Sequence, residues 1–197
     1  VVVDGLNVNN LLNFADPDVK NKDLYTTILN SRIKLLNKNK IKVIIQDARD
    51  YHKMSKIYEE IKPSTIIHLA AVSHANKSNK DPHNTFDHSL RTLENTLDIA
   101  KTNKTHVIYL SSSMVYGDFQ GDIALESQLC KPIGIYGSLK LASEIIIKSY
   151  NQVFGLPYTI IRPSALYGER CVSRRVGQIF IENALQNKKI IINGSGE

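Results

Sequence analysis

Tyr136 and Lys140 stand four residues apart in Tyr136-Gly137-Ser138-Leu139-Lys140, at the head of a stretch in which Ala142, Ile145 and Ile146 continue with helical spacing. Four residues is just over one helical turn, so the phenol and the ammonium project from the same face. A nearby positive charge favours the phenolate and lowers the tyrosine pKa toward neutrality, which makes the phenol usable as a general acid and base. Taken alone, such a pair is also met on helix surfaces that do no chemistry. A further hydroxyl comes from Ser111-Ser112-Ser113-Met114-Val115-Tyr116-Gly117, directly after the apolar run His106 to Leu110. The carboxyl end of a parallel strand is where open α/β sheets bind ligands. A serine there can hydrogen-bond the oxygen of a reacting carbinol or carbonyl; the alternative is a serine-rich turn with no further role.

These groups need a scaffold, and the rest of the chain supplies one. Short β-branched runs alternate with segments of helical period, the pattern of an α/β domain with a parallel sheet. Strands are expected at Val1 to Val3, Ile41 to Ile45, Thr65 to Leu69, His106 to Leu110, Tyr158 to Ile161 and Lys189 to Ile192. Each is nearly continuously apolar, as expected where helices cover both sheet faces. Helices are expected at 20 to 37, 52 to 61, 83 to 102, 136 to 154 and 175 to 187, with Pro82 near the start of one and Gly155 and Pro157 closing another. The polar stretch from Asn7 to Asp18 reads as a loop.

Composition narrows the functional classes. The 197 residues suit one domain of ordinary size, and Cys130 and Cys171 are too isolated for a disulfide framework or a zinc site, so no metal is expected. The net charge of +6 comes from lysines scattered among asparagines and isoleucines, not from a basic stripe with interleaved aromatics, which argues against a nucleic-acid partner. No apolar stretch is long enough to cross a bilayer, and Val1-Val2-Val3 meets Asp4 too soon for a signal peptide. The reading is a cytoplasmic protein with no membrane partner. Both ends look cut: there is no initiator methionine, and the chain stops just after Ile190-Ile191-Ile192 and a turn signal.

With its tyrosine, lysine and serine motifs in this order, the chain resembles the extended short-chain dehydrogenase/reductase family, the NAD-dependent epimerases and dehydratases of nucleotide sugars, including the UDP-glucose 4-epimerase-like members. The resemblance covers essentially the whole chain. It implies a Rossmann-type doubly wound parallel sheet over 1–197, with the start of a substrate-binding region from about residue 165 onward. It also implies NAD as cofactor, and Tyr136, Lys140 and Ser112 as catalytic groups, Ser112 being four residues before Tyr116, with Ser111 and Ser113 as flanking candidates. Asp4, followed by Gly5-Leu6-Asn7, is similar to the acid that grips the adenosine ribose, and an acid there favours NAD over NADP. Asn7 joins it in the expected cofactor set. Asp47-Ala48 looks like the adenine-contacting pair. His68-Leu69-Ala70-Ala71 resembles the strand-end motif lying along the cofactor, with Ser73 at its usual place. Arg162-Pro163-Ser164-Ala165-Leu166-Tyr167-Gly168 resembles the segment whose backbone meets the nicotinamide carboxamide, so Pro163 and Ser164 join Ser111, Leu69, Ala70 and Ala71 in the cofactor set. Ser113, Met114, Arg170 and Arg175 are the substrate candidates.

The departures are informative. The glycine-rich turn G-x-x-G-x-x-G that meets the pyrophosphate is absent. Because Asp4 normally follows that unit by about 20 residues, roughly 30 residues, a strand and a helix, are expected before Val1. The first strand lies at the centre of the order 3-2-1-4-5-6, so its absence leaves two inner strands each short of a ladder partner. His88 and Arg91-Thr92 replace an asparagine and a Gly-Thr pair, and Ala165 replaces an asparagine that touches the substrate diphosphate. The family's dehydratases place an Asp-Glu pair directly after the catalytic hydroxyl; here those positions are Ser113 and Met114, neither of them a general acid or base. The resemblance therefore implies a nucleotide-sugar epimerase acting through a transient 4-keto sugar, with a keto-sugar nucleotide reductase or an inactive cofactor-binding relative as alternatives. In such enzymes the helices matching 83 to 102 and 136 to 154 form a homodimer interface.

Overall fold

The computed structural model describes residues 1–6, 21–73, 75–119, 123–172, 175–192 and 194. Five strands and seven α-helices are described: β1 Val2–Asp4, α1 Lys22–Lys38, β2 Val43–Ile45, α2 Tyr51–Ile61, β3 Thr65–His68, α3 Ala75–Lys80, α4 Pro82–Phe86, α5 Thr92–Lys101, β4 His106–Leu110, α6 Gly134–Phe154, β5 Tyr158–Ile161 and α7 Val176–Leu185. Strand and helix alternate as the apolar periodicity requires. The expected loop at 7 to 18, and Asn7 with it, lies outside the described residues.

The strands form two ladders, β1-β2 and β3-β4-β5. Val2 N–H donates to Lys42 O at 2.8 Å and Gln46 N–H to Asp4 O at 3.1 Å, so β1 and β2 run parallel. In the second ladder Thr65 faces His106 and Val107 faces Tyr158, both pairings parallel. Among the described residues no ladder joins the two, so β1 and β3 each have one neighbour.

By internal contacts the chain divides into two compact units. One comprises Val3–Gly5 and Ile45–Ser164, the other Val1–Val2, Leu6–Ile44 and Ala165–Glu197. The core of the first is Leu93, Leu97 and Ala100 of α5, Val107 and Tyr109 of β4, Ile147 of α6 and Leu156, all at most 2% exposed. It therefore pins α5 and α6 to β4, the strand that leads into the serine turn. The second unit has a smaller core of Tyr25, Leu29 and Val172.

Helix ends follow local chemistry. Asp50 caps α2 by accepting from Lys53 N–H, and Asp81 caps α4 by accepting from Asn84 N–H, with Pro82 in the first turn. Gly155 closes α6 with φ 67°, and its N–H reaches Asn151 O. The helix expected over 83 to 102 contains a π-turn at Asp87–Arg91 between α4 and α5. Helix α3 was not expected, since Ala75–Lys80 is polar and carries no apolar period. Lys189–Ile192 is not a strand: Ile190, Ile191 and Ile192 are exposed, and a β-branched run becomes a strand only where a partner takes up its backbone groups. Ile67 of β3 is 60% exposed, so that strand is not covered on both faces as its apolar run suggested.

Candidate active site

β4 ends at Leu110, and the chain turns at once into Ser111 and Ser112 and a single 3-10 turn, Ser113–Val115. The three hydroxyls differ in what they meet. Ser111 Oγ donates to the Glu144 carboxylate at 2.6 Å inside the protein. Ser112 is also buried, with extended backbone at φ −161° and ψ 150°, and its Oγ accepts the Met114 N–H at 3.2 Å. That contact occupies a lone pair and leaves the hydroxyl proton available to donate. Ser113 N–H donates to Pro163 O at 2.9 Å, which brings the serine turn beside the Pro163-Ser164 segment.

Ser113 and Met114 line a cleft of about 390 Å³ together with Asn76 and Asn79 of α3 and Tyr136. Tyr136 is half-buried in the first turn of α6. One turn on, Lys140 is 8% exposed, its Nζ 5.9 Å from the Tyr136 ring centre and 4.8 Å from that of Tyr109. Nζ donates to Leu110 O at 2.6 Å. Burial brings the Lys140 pKa down to about 8, so at neutral pH the ammonium is still charged. A buried ammonium with one acceptor among the described residues keeps two further protons to donate, which fits the hydroxyls of a cofactor ribose.

The remaining cofactor candidates sit at strand ends tied down by α5. Asn95 Nδ2 donates to Ala48 O at 2.9 Å, Thr92 Oγ1 reaches Ala70 O at 2.9 Å, and Thr96 Oγ1 meets His68 Nδ1 at 3.0 Å. Leu69, Ala70 and Ser73 are exposed and Ala71 is half-buried. The Asp47 carboxylate is gripped by the Arg49 guanidinium at 2.6 to 3.1 Å, and that hydrogen bonding brings its pKa down to about 2. Arg49 also donates to Asp87 at 2.6 Å. Asp4, exposed at the end of β1, belongs to the same compact unit. Arg170 and Arg175 belong to the other. Arg170 pairs with Glu169 at 2.8 Å and reaches Ser31 Oγ, while Arg175 stands at the N-cap of α7.

Over residues 18–197 the chain matches the model of the NAD dependent epimerase/dehydratase family. The chain belongs to this family. The cofactor of the NAD dependent epimerase/dehydratase family is NAD. Among relatives, the chain is 27% identical to UDP-glucuronate 4-epimerase 1 of Arabidopsis thaliana over 94% of its own length and 42% of that protein's. It is 29% identical to dTDP-D-glucose 4,6-dehydratase of Dictyostelium discoideum, over 75% of itself and 37% of that protein. The UDP-glucuronic acid 4-epimerase of Bacillus cereus, solved with UDP-glucuronic acid and NAD, superposes with a TM-score of 0.72 at 26% identity, covering 86% of this chain and 54% of that one. The chain thus spans about half the length of its relatives or less. No helix among the described residues is long and apolar enough to cross a membrane.

The sequence reading left several members of the site unnamed. Glu144 lies four residues beyond Lys140, repeating the spacing that exposed the Tyr136-Lys140 pair, and Asn76 and Asn79 share the helical offset of three. Asn95 and Thr96 lie three and four residues beyond Thr92, which stands with Arg91 in place of the Gly-Thr pair, in a helix otherwise apolar on its inner face.

Proposed function

We propose that the protein is an NAD-dependent nucleotide-sugar epimerase, cytoplasmic and homodimeric, acting through a transient 4-keto sugar. The observation that carries this reading is the cleft beside Tyr136: its wall directly after Ser112 is Ser113 and Met114. A dehydratase needs an acid and a base there to remove a proton beside the keto group and to protonate the departing hydroxyl. The one carboxylate among the described lining residues is Asp118, four positions farther along on the exposed side.

When bound, NAD supplies a reversible hydride acceptor. The chain's own residues do the rest. Ser112 donates its free proton in a hydrogen bond to the sugar oxygen, and Tyr136 takes the proton of the sugar hydroxyl. Lys140 keeps a positive charge beside the phenol, which favours the phenolate, and offers its spare protons to the ribose. Return of the proton from Tyr136 to the keto oxygen, with the hydride given back to the carbon on its other face once the sugar has turned, would complete epimerisation. Asp4, Asp47, Ala48, Leu69 to Ala71, Ser73, Ser111, Pro163 and Ser164 are the proposed cofactor contacts, and Ser113, Met114, Arg170 and Arg175 the substrate contacts. For the dimer, Phe86 of α4 and Ile145, Val153 and Phe154 of α6 offer exposed apolar side chains. Light scattering on the full-length protein should return twice the chain mass, and a monomer at micromolar concentration would remove the dimer.

The test is incubation of the full-length protein with NAD and a panel of UDP-, GDP- and dTDP-sugars, followed by NMR. The expected result is an equilibrium mixture of two 4-epimers with no net change in NADH. Net NADH consumption with a keto-sugar nucleotide would make it a reductase, and loss of water from the sugar a dehydratase.

A further inference from the structure

Glu144 is wholly buried, and Arg162 is 15% exposed. The guanidinium forks onto the carboxylate, Nε at 2.9 Å and Nη2 at 2.7 Å, while Ser111 Oγ donates to the same carboxylate at 2.6 Å. The remaining arm of Arg162 donates to Tyr116 Oη at 3.0 Å and Glu126 O at 3.1 Å, and the guanidinium lies 5.0 Å from the Tyr116 ring centre. Four stretches of chain therefore meet on one ion pair: the catalytic helix, the end of β5, both ends of the serine turn, and the segment at Glu126.

Cohesion alone does not explain such a pair. β4 and β5 are already laddered from Val107 to Ile161, and Ile147 of α6 is locked into the core. A buried ion pair stabilises a fold no better than apolar side chains of equal volume. What it adds is direction. By holding Ser111 against α6, it fixes the start of the turn in which Ser112 follows. The Glu144 carboxylate is taken up by Arg162 and Ser111, and the Lys140 ammonium one turn earlier on α6 donates to Leu110 O.

We infer that Glu144 and Arg162 are positioning residues of the catalytic site, a clamp that fixes the serine turn, and Ser112 within it, against α6, the helix that carries Tyr136 and Lys140. The inference rests on the proposed catalytic roles of Ser112, Tyr136 and Lys140. Two full-length variants test it: the double replacement Glu144→Leu with Arg162→Met, which removes both charges together, and Ser111→Ala, which cuts the link to the turn and spares the pair. Melting temperature, kcat, KM, NAD affinity and hydrogen exchange of peptides spanning Ser111 to Tyr116 are measured.

The double variant should melt within a few degrees of the parent, since neither charge is left unpaired. Its kcat should fall by about tenfold to a hundredfold, the cost of a displaced catalytic group, with KM and NAD affinity little changed and exchange in the turn faster. Ser111→Ala should show the same fall in kcat and the same faster exchange in the turn, in smaller measure. Recovery of kcat together with melting temperature in the double variant, with parental exchange in the turn, would reduce the pair to an ordinary structural contact. If the double variant does not fold, parental kcat and exchange in Ser111→Ala overturn the clamp on their own. Should the parent turn over no nucleotide sugar, the functional reading fails, and the exchange measurement still decides the clamp.

Discussion

Tyr136 contributes a phenol whose surroundings set what it can do. It is half-buried, lines the cleft, and has a buried ammonium one helical turn away. Tyr136→Phe removes one oxygen from a cleft wall and leaves the helix and its core contacts unchanged. Its kcat should fall by about a hundredfold or more, the usual contribution of a positioned acid-base group, with NAD affinity and melting temperature near those of the parent. A loss below threefold in single-turnover measurements would show that the proton goes elsewhere. The serines show what a sequence can and cannot say at this scale. That a hydroxyl follows β4 is plain from the order of residues. Which of the three faces inward depends on Glu144, 33 positions away, and nothing near Ser111 encodes that partner. The Tyr136-Lys140 pair was legible because both ends of the relation lie in one helical turn.

Elements were read to within a few residues where apolar period and punctuation agreed, as in β4, β5 and α6. They were misread where the deciding interaction is tertiary. Lys189–Ile192 has strand composition and no strand partner, and α3 is a polar turn of helix held by what surrounds it, with Ser78 fully buried. Helix α5 holds two chain segments, at Ala48 and at His68 to Ala70, through Thr92, Asn95 and Thr96, yet in sequence those residues lower its helical propensity. Gly137 is where the elements of the site press closest. A Cβ there would lie 2.7 Å from Met114 O and 3.1 Å from the Pro132 Cβ. Gly137→Ala must therefore push the serine turn off α6, and overpacking of this kind costs about 1 to 3 kcal/mol. Denaturant melts should show that loss, with a fall in kcat larger than that of alanine placed at the exposed Ser138 one position on. Equal kcat for the two variants would mean that the contact between turn and helix does not position the site.

At the scale of the whole molecule, the polar groups buried behind the cleft make stability depend on pH in a direction that can be worked out. His68, stacked on Tyr109 with ring centres 5.9 Å apart, is brought down to about 4 by burial first and by the Lys140 charge second. Its Nε2 has no hydrogen-bond partner among the described residues, so protonation would strand a charge in the interior. For a group whose folded pKa lies below its unfolded value, the unfolded chain binds the extra proton, and stability rises with pH across the interval. His68 thus contributes a rise from about 4 to its ordinary 6.5, and Lys140 a second from about 8 to its ordinary 10.5. Tyr109, pushed up mainly by burial, acts with the opposite sign: its buried phenol favours the folded state less as pH climbs through and beyond the ordinary tyrosine range near 10. Urea midpoints should therefore climb from pH 4 to 6.5, climb again above pH 8, and turn over near pH 10. Lys140→Met separates the second rise from the rest. It removes the cost of burying an ammonium, roughly 3 kcal/mol for a drop from 10.5 to about 8 at about 1.4 kcal/mol per pKa unit, less the hydrogen bond to Leu110 O. The variant should be inactive, more stable than the parent at pH 7, and level with it near pH 10. A midpoint at pH 7 below the parent's, or a rise above pH 8 that survives the substitution, would show that the ammonium is not held at a cost and that the depressed pKa assigned to it is wrong.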